Sequence, residues 1–73
     1  MPSVPAHRRV LGENLRTYRK RAKLTQEKLA EKADLTRNYI GQIERAEKKV
    51  TFEALWKIAS ALKVRVRDLV RNF

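Results

Sequence analysis

Seventy-three residues make one small domain, enough to bury roughly 60% of the unfolded chain's surface in a single core. There is no cysteine and only one histidine, His7, near the start of the chain; disulfides, thiolate metal sites and Cys or His catalysis are therefore unsupported, and no metal or cofactor is expected. Eighteen Lys plus Arg against eight Asp plus Glu give a formal net charge of +10, which points to a polyanionic partner.

No apolar run approaches the roughly 20 residues that span a bilayer, and no signal-like segment precedes the domain. A cytoplasmic protein without a membrane partner is expected. Residues 1–6, with Pro2 and Pro5 and little to bury, read as an irregular N-terminal arm, and residues 7–73 as the domain.

From about His7 to Ala22, the residues Leu11, Leu15, Tyr18 and Ala22 recur at helical spacing and predict a first helix with one buried stripe. Its other faces carry seven cations, from Arg8 to Lys23, against a lone acid, Glu13. Thr25 then offers an N-cap to a second helix, whose buried face is Leu29, Ala30 and Ala33. Asp34 stands where the chain must reverse, and Asp tolerates left-handed backbone better than most residues. Thr36 offers another cap. Over Arg37 to Arg45, Ile40 and Ile43 mark the inward side of a third helix and leave Asn38, Gly41, Gln42 and Arg45 around the opposite side.

Two caps, a small residue (Ala30) at the crossing and a polar outward face together read as a helix-turn-helix that presents its second helix to the major groove. The connector RAEKKV from Arg45 to Val50 places Lys48 and Lys49 where they suit a DNA strand, or simply a charged loop. Thr51 caps a fourth helix with Phe52, Leu55, Ile58, Ala59 and Leu62 as the inward stripe and Trp56 at its margin. A fifth, from about Val66, contributes Leu69 and Val70. The expected fold class is all-α, a compact five-helix domain around a central helix-turn-helix.

These segments resemble the lambda repressor and Cro-like helix-turn-helix family, also called the XRE family, over roughly Leu11 to Val70. The carriers are Leu11-Gly12, Arg19, LTQEKLAEKA from Leu24, RNYIGQIER from Arg37 and TFEALWKIASALKV from Thr51. RNYIGQIER and the lack of an effector domain look most like the restriction-modification controller proteins. The resemblance implies a lambda-repressor-like domain in which Arg37, Asn38 and Gln42 read bases. Gln26 would hold a phosphate, and Thr36 and Tyr39 would make flanking contacts; the outward Arg45 and the connector's Lys48 and Lys49 are, from their position and charge, further candidates for the DNA backbone. It also implies an ion pair between Arg19 and Glu44. Where family members commonly have glycine this chain has Asp34 and Ala46, and where they have a polar cap it has Arg65, so both loops and the start of the fifth helix are expected to depart from the pattern.

The leading function is sequence-specific transcription regulation, with double-stranded DNA as partner and a palindromic operator bound by a homodimer. Lys and Arg supply affinity by counterion release; Arg suits guanine, and Asn and Gln suit adenine. The family's two-fold arrangement puts recognition helices in successive major grooves about 34 Å apart. The first helix is crowded with arginines that would repel their symmetry mates, which leaves Trp56, Val66, Val70 and Phe73 as the candidate dimer interface. Glu27 and Glu31 match positions where some relatives present an acidic patch to RNA polymerase, so activation stands beside repression.

A protein-interaction module of the same fold, such as an antitoxin or coactivator part, is the alternative; sequence-selective, salt-sensitive DNA binding separates the two. An RNA chaperone lacks exposed aromatics for stacking. An enzyme is least supported: the acids are scattered and no nucleophile has a neighbouring base.

Overall fold

The structure, a computed structural model, describes residues 4–72, and among them five helices and no strand. These are α1 (Ala6–Arg21), α2 (Gln26–Ala33), α3 (Arg37–Glu44), α4 (Phe52–Leu62) and α5 (Val66–Leu69). Residues 1–3 of the expected arm and Phe73 lie outside the described residues. Ala6 belongs to α1 rather than to an arm, since Pro5 supplies the carbonyl that accepts from Arg8 N–H at 3.0 Å and so starts the helix.

The three threonine caps form as their spacing predicts. Thr25, Thr36 and Thr51 accept through Oγ1 from the backbone N–H of Lys28, Tyr39 and Ala54 at 3.0, 3.0 and 3.1 Å. Where the family's polar cap is replaced by Arg65, the start of α5 is held from the other side. The Asp68 carboxylate accepts from Arg65 N–H at 2.9 Å.

The ends of α1 to α4 follow one geometry without a single glycine. Lys23, Asp34, Ala46 and Lys63 take φ of 59°, 55°, 63° and 59°. The next residue's N–H in each case reaches back to the first carbonyl of the closing turn: Leu24 to Arg19, Leu35 to Ala30, Glu47 to Gln42 and Val64 to Ala59, at 2.8 to 3.1 Å. The departures at Asp34 and Ala46 therefore leave both turns in the left-handed form that glycine would have taken, at a backbone cost of roughly 1–2 kcal/mol each.

The same geometry corrects the end of α1. Ala22 is exposed and lies past the last helical residue, and Leu24, half-buried after the reversal, packs against the core instead.

The core joins Leu11 and Leu15 of α1, Leu29, Ala30 and Ala33 of α2, Ile40 and Ile43 of α3, Ile58, Ala59 and Leu62 of α4, and Leu69 of α5. Phe52 does not belong to it: it stands 72% exposed. Six residues before Ile58, it falls about 120° around the helix from that buried side chain, and α4 turns Ala54, Ile58 and Leu62 inward instead. Two features of α1 settle how the other elements pack. Gly12 lies so close to α3 that a Cβ there would stand 2.7 Å from the carbonyl oxygens of both Ile43 and Glu44. Asn14 donates through Nδ2 to the carbonyls of Leu69 and Arg71, both at 2.9 Å, and so caps the end of the short α5 from across the domain.

Candidate nucleic-acid interface

α3 is pinned by its apolar side, where Ile40 and Ile43 are 0% and 1% exposed, and it shows its polar side to solvent. Arg37 and Asn38 are exposed in the first turn, and Gln42, half-buried, follows Asn38 by one turn on the same face. Asn38 and Gln42 therefore share one accessible strip, with Arg37 exposed about 100° around the helix from Asn38. Ala30, buried at 3% exposure, gives α2 the close approach to α3 that lets this strip protrude.

Glu44, at the end of α3, holds the helix pair to α1. Its side chain is fully buried, and it accepts from Arg19 Nε at 2.6 Å and Arg19 Nη2 at 3.2 Å, from Gln26 Nε2 at 3.0 Å and from Arg16 Nε at 3.5 Å. Arg19 also donates through Nη1 to the carbonyl of Leu24 at 2.8 Å, so one guanidinium ties α1, the α1–α2 turn and α3 together. Burial by itself pushes the Glu44 carboxyl up. Hydrogen bonds from Arg19 and Gln26, the Arg19 charge and the Arg16 hydrogen bond outweigh burial and hold the carboxyl below the ordinary carboxylate value.

The Arg19–Glu44 pair implied by the family resemblance is thus present. Arg16 and Gln26 join it, and spacing alone would not have found them, since 28 and 18 residues separate them from Glu44. Gln26, the residue expected to hold a phosphate, is positioned by this contact at the first turn of α2.

Gly41 is buried rather than outward. A Cβ there would meet Arg45 Nη1 at 3.0 Å and Gln26 Oε1 at 3.6 Å, so the guanidinium of Arg45 and the amide of Gln26 lie over the bare helix backbone. Arg45 itself is engaged: its Nε and Nη2 donate to Glu47 Oε2 and Oε1 at 2.9 and 3.3 Å, and the Glu47 carboxyl is held low mainly by that hydrogen bond. Were Arg45 to meet the DNA backbone, Glu47 would compete with phosphate for it. Glu47→Gln is expected to raise affinity for specific and random DNA alike by a few-fold, and to steepen the dependence of log affinity on log salt by about one unit as Arg45 becomes available. Titrations across a salt series check this, and an unchanged slope would place Arg45 away from the backbone.

Tyr39 is half-buried and its hydroxyl donates to the carbonyl of Lys49 at 3.4 Å, linking the first turn of α3 to the α3–α4 connector. Thr36, Lys48 and Lys49 are exposed. Glu27 and Glu31 are exposed on α2, with Glu31 3.7 Å from Lys28. Of the candidate interface residues, Trp56 is 57% exposed, whereas Val66 and Val70 are half-buried and Val66 packs against the core. Among the described residues no three His, Cys, Asp or Glu side chains form a metal-holding group, and no helix is long and apolar enough to cross a membrane.

A capped, outward-facing helix braced by a buried carboxylate, in a strongly basic five-helix domain, defines a DNA-binding transcriptional regulator of the lambda-repressor-like class. The chain belongs to the helix-turn-helix family, which it matches over residues 15–69. It is 46% identical over 61 residues to control protein C.SmaI of Serratia marcescens, covering 84% of this chain and 73% of that protein. The crystal structure of the restriction-modification controller protein C.AhdI from Aeromonas hydrophila superposes with a TM-score of 0.86 at 36% identity, covering 88% of this chain and 97% of that one. The P22 c2 repressor in complex with a synthetic operator superposes with a TM-score of 0.79 at 28% identity, covering 86% of this chain and 96% of that one. The family resemblance carried by RNYIGQIER and its neighbours, down to its likeness to controller proteins, is borne out.

Proposed function

We propose that this regulator acts in the cytoplasm as a homodimer on a palindromic operator, with Arg37, Asn38 and Gln42 reading base edges. Gln26, Thr36, Tyr39, Lys48 and Lys49 fix the register on phosphates. The observation that carries this reading is the accessible polar side of α3, where Arg37 and Asn38 are exposed and Gln42 half-buried, on a helix whose apolar side is buried and whose end is locked through Glu44. Such a mount holds hydrogen-bonding side chains at fixed positions, which base recognition requires.

Random-site selection with the purified protein supplies the test. A preferred sequence with two-fold symmetry is expected, and enrichment of none would sink the proposal. On the selected site, Arg37→Ala and Gln42→Ala are each expected to lose about 1–3 kcal/mol and to relax choice at single base pairs. Gln26→Ala should weaken all sequences alike. Equal losses on specific and random DNA for all three variants would end this division of labour.

Phe52 and Trp56 support a dimer through α4, because they stand one turn apart and both exposed. Neither holds the core, so Phe52→Ala and Trp56→Ala are expected to leave the fold intact and to shift the protein toward monomer in sedimentation at micromolar concentration. Unchanged dimers in both variants would move the interface elsewhere.

A further inference from the structure

A cavity of about 310 Å³ opens where α1, the α3–α4 connector, α4 and the end of α5 meet. Its apolar lining is Leu11, Val50, Leu55 and Val70, and its polar lining includes the cations Arg8, Lys48 and Lys49, with no acidic side chain among the described lining residues. One of the lining residues also carries an unspent donor. The Nε of Arg8 is buried and has no hydrogen-bond partner among the described residues. A buried guanidinium N–H without an acceptor is costly, and such orphans mark places where an acceptor belongs. The size lies at the lower end of small-molecule sites, which combine apolar walls with a few convergent polar groups.

We propose that this cavity is an effector site for a small organic carboxylate with an apolar tail. The tail would lie against Leu55 and Val70, and the carboxylate would accept from Arg8 beside Lys48 and Lys49. An anion suits the cationic wall, whereas the apolar lining selects against inorganic anions and acetate. The regulatory consequence rests on the proposed contact of Lys48 and Lys49 with DNA: a bound carboxylate competes with phosphate for the same two ammonium groups, so occupancy lowers operator affinity.

Isothermal titration of the full chain with octanoate, acetate and 1-octanol tests the site. Octanoate is expected to bind saturably at one per chain, with octanol weaker by about tenfold for want of the charge-assisted hydrogen bond and acetate weaker still for want of methylenes. Arg8→Gln is expected to weaken octanoate by about tenfold. If that variant does not fold, Lys48→Gln with Lys49→Gln, both at exposed positions, carries the same expectation. Octanol binding as tightly as octanoate, no effect of either variant, or no saturable binding at millimolar octanoate would each overturn the site. Binding that vanishes at protein concentrations where sedimentation shows a dimer would overturn it too, and would assign the cavity to a second copy of the chain. Calorimetry on the free protein does not depend on the DNA reading. Octanoate that binds but leaves operator affinity unchanged overturns the regulatory consequence alone.

Discussion

Glu44→Ala is expected to remove about 3 kcal/mol of stability, because it strands the Arg19 guanidinium, whose side chain is only 12% exposed, without its counter-charge. Against the roughly 4–11 kcal/mol available to a domain of this length, that is a large fraction. Removing Arg19 as well should restore part of the loss. A double-mutant cycle of Glu44→Leu with Arg19→Met is therefore expected to show a coupling well above the 0–1 kcal/mol of a surface pair, and coupling within that range would demote the network to surface status.

The same carboxylate sets a pH dependence. Its folded pKa is depressed, so its contribution is complete above the ordinary carboxylate value and is lost as pH falls through the lower folded value. Urea denaturation at descending pH should show stability falling on the acid side. Glu44→Gln, which has no proton to take up there, should flatten that limb.

Gly12→Ala is the second large effect. The added Cβ would stand 2.7 Å from two backbone carbonyl oxygens of α3, and backbone cannot swing aside as a flexible side-chain end can. The clash outweighs the gain in helix propensity of about 1 kcal/mol, for a net loss of about 2 kcal/mol. Each kcal/mol moves the melting temperature of a domain this small by about 4–8 °C, so a thermal scan reads the effect directly. Because the carbonyls that must retreat belong to Ile43 and Glu44, α3 leaves its seat on α1. Operator affinity should therefore fall even at temperatures where the variant is folded. An unchanged melting temperature would show that the α1–α3 crossing has room the structure does not display.

Lys23 and Lys63 show where sequence reading stops. Both reverse the chain in left-handed backbone, as Asp34 does, yet only Asp34 carries a residue type that signals it. At the two lysines nothing in the local sequence announces the turn, and it is the need to bring Leu24 and Val64 back onto the core that imposes it. Phe52 misleads in the opposite direction. A large aromatic beside a cap reads as core, and only the placement of α4 against its neighbours turns it outward.

Periodicity and capping are local properties, each contained within about four residues, and so the sequence by itself determined the five helices, the three threonine caps, the buried stripes apart from Ala22 and Phe52, and the exposure of Arg37 and Asn38. The contacts that hold α3 rigidly in place join residues far apart in the chain, and tertiary structure alone decided them. Gly12 became a crossing point because α3 lies against it. Gln26 and Arg16 reached Glu44 because two helix ends converge there. Arg8 came to line a cavity because α1, α4 and α5 meet around it without filling the space. Helical spacing says which side of each helix is buried; the packing of one helix on another says which atoms meet there.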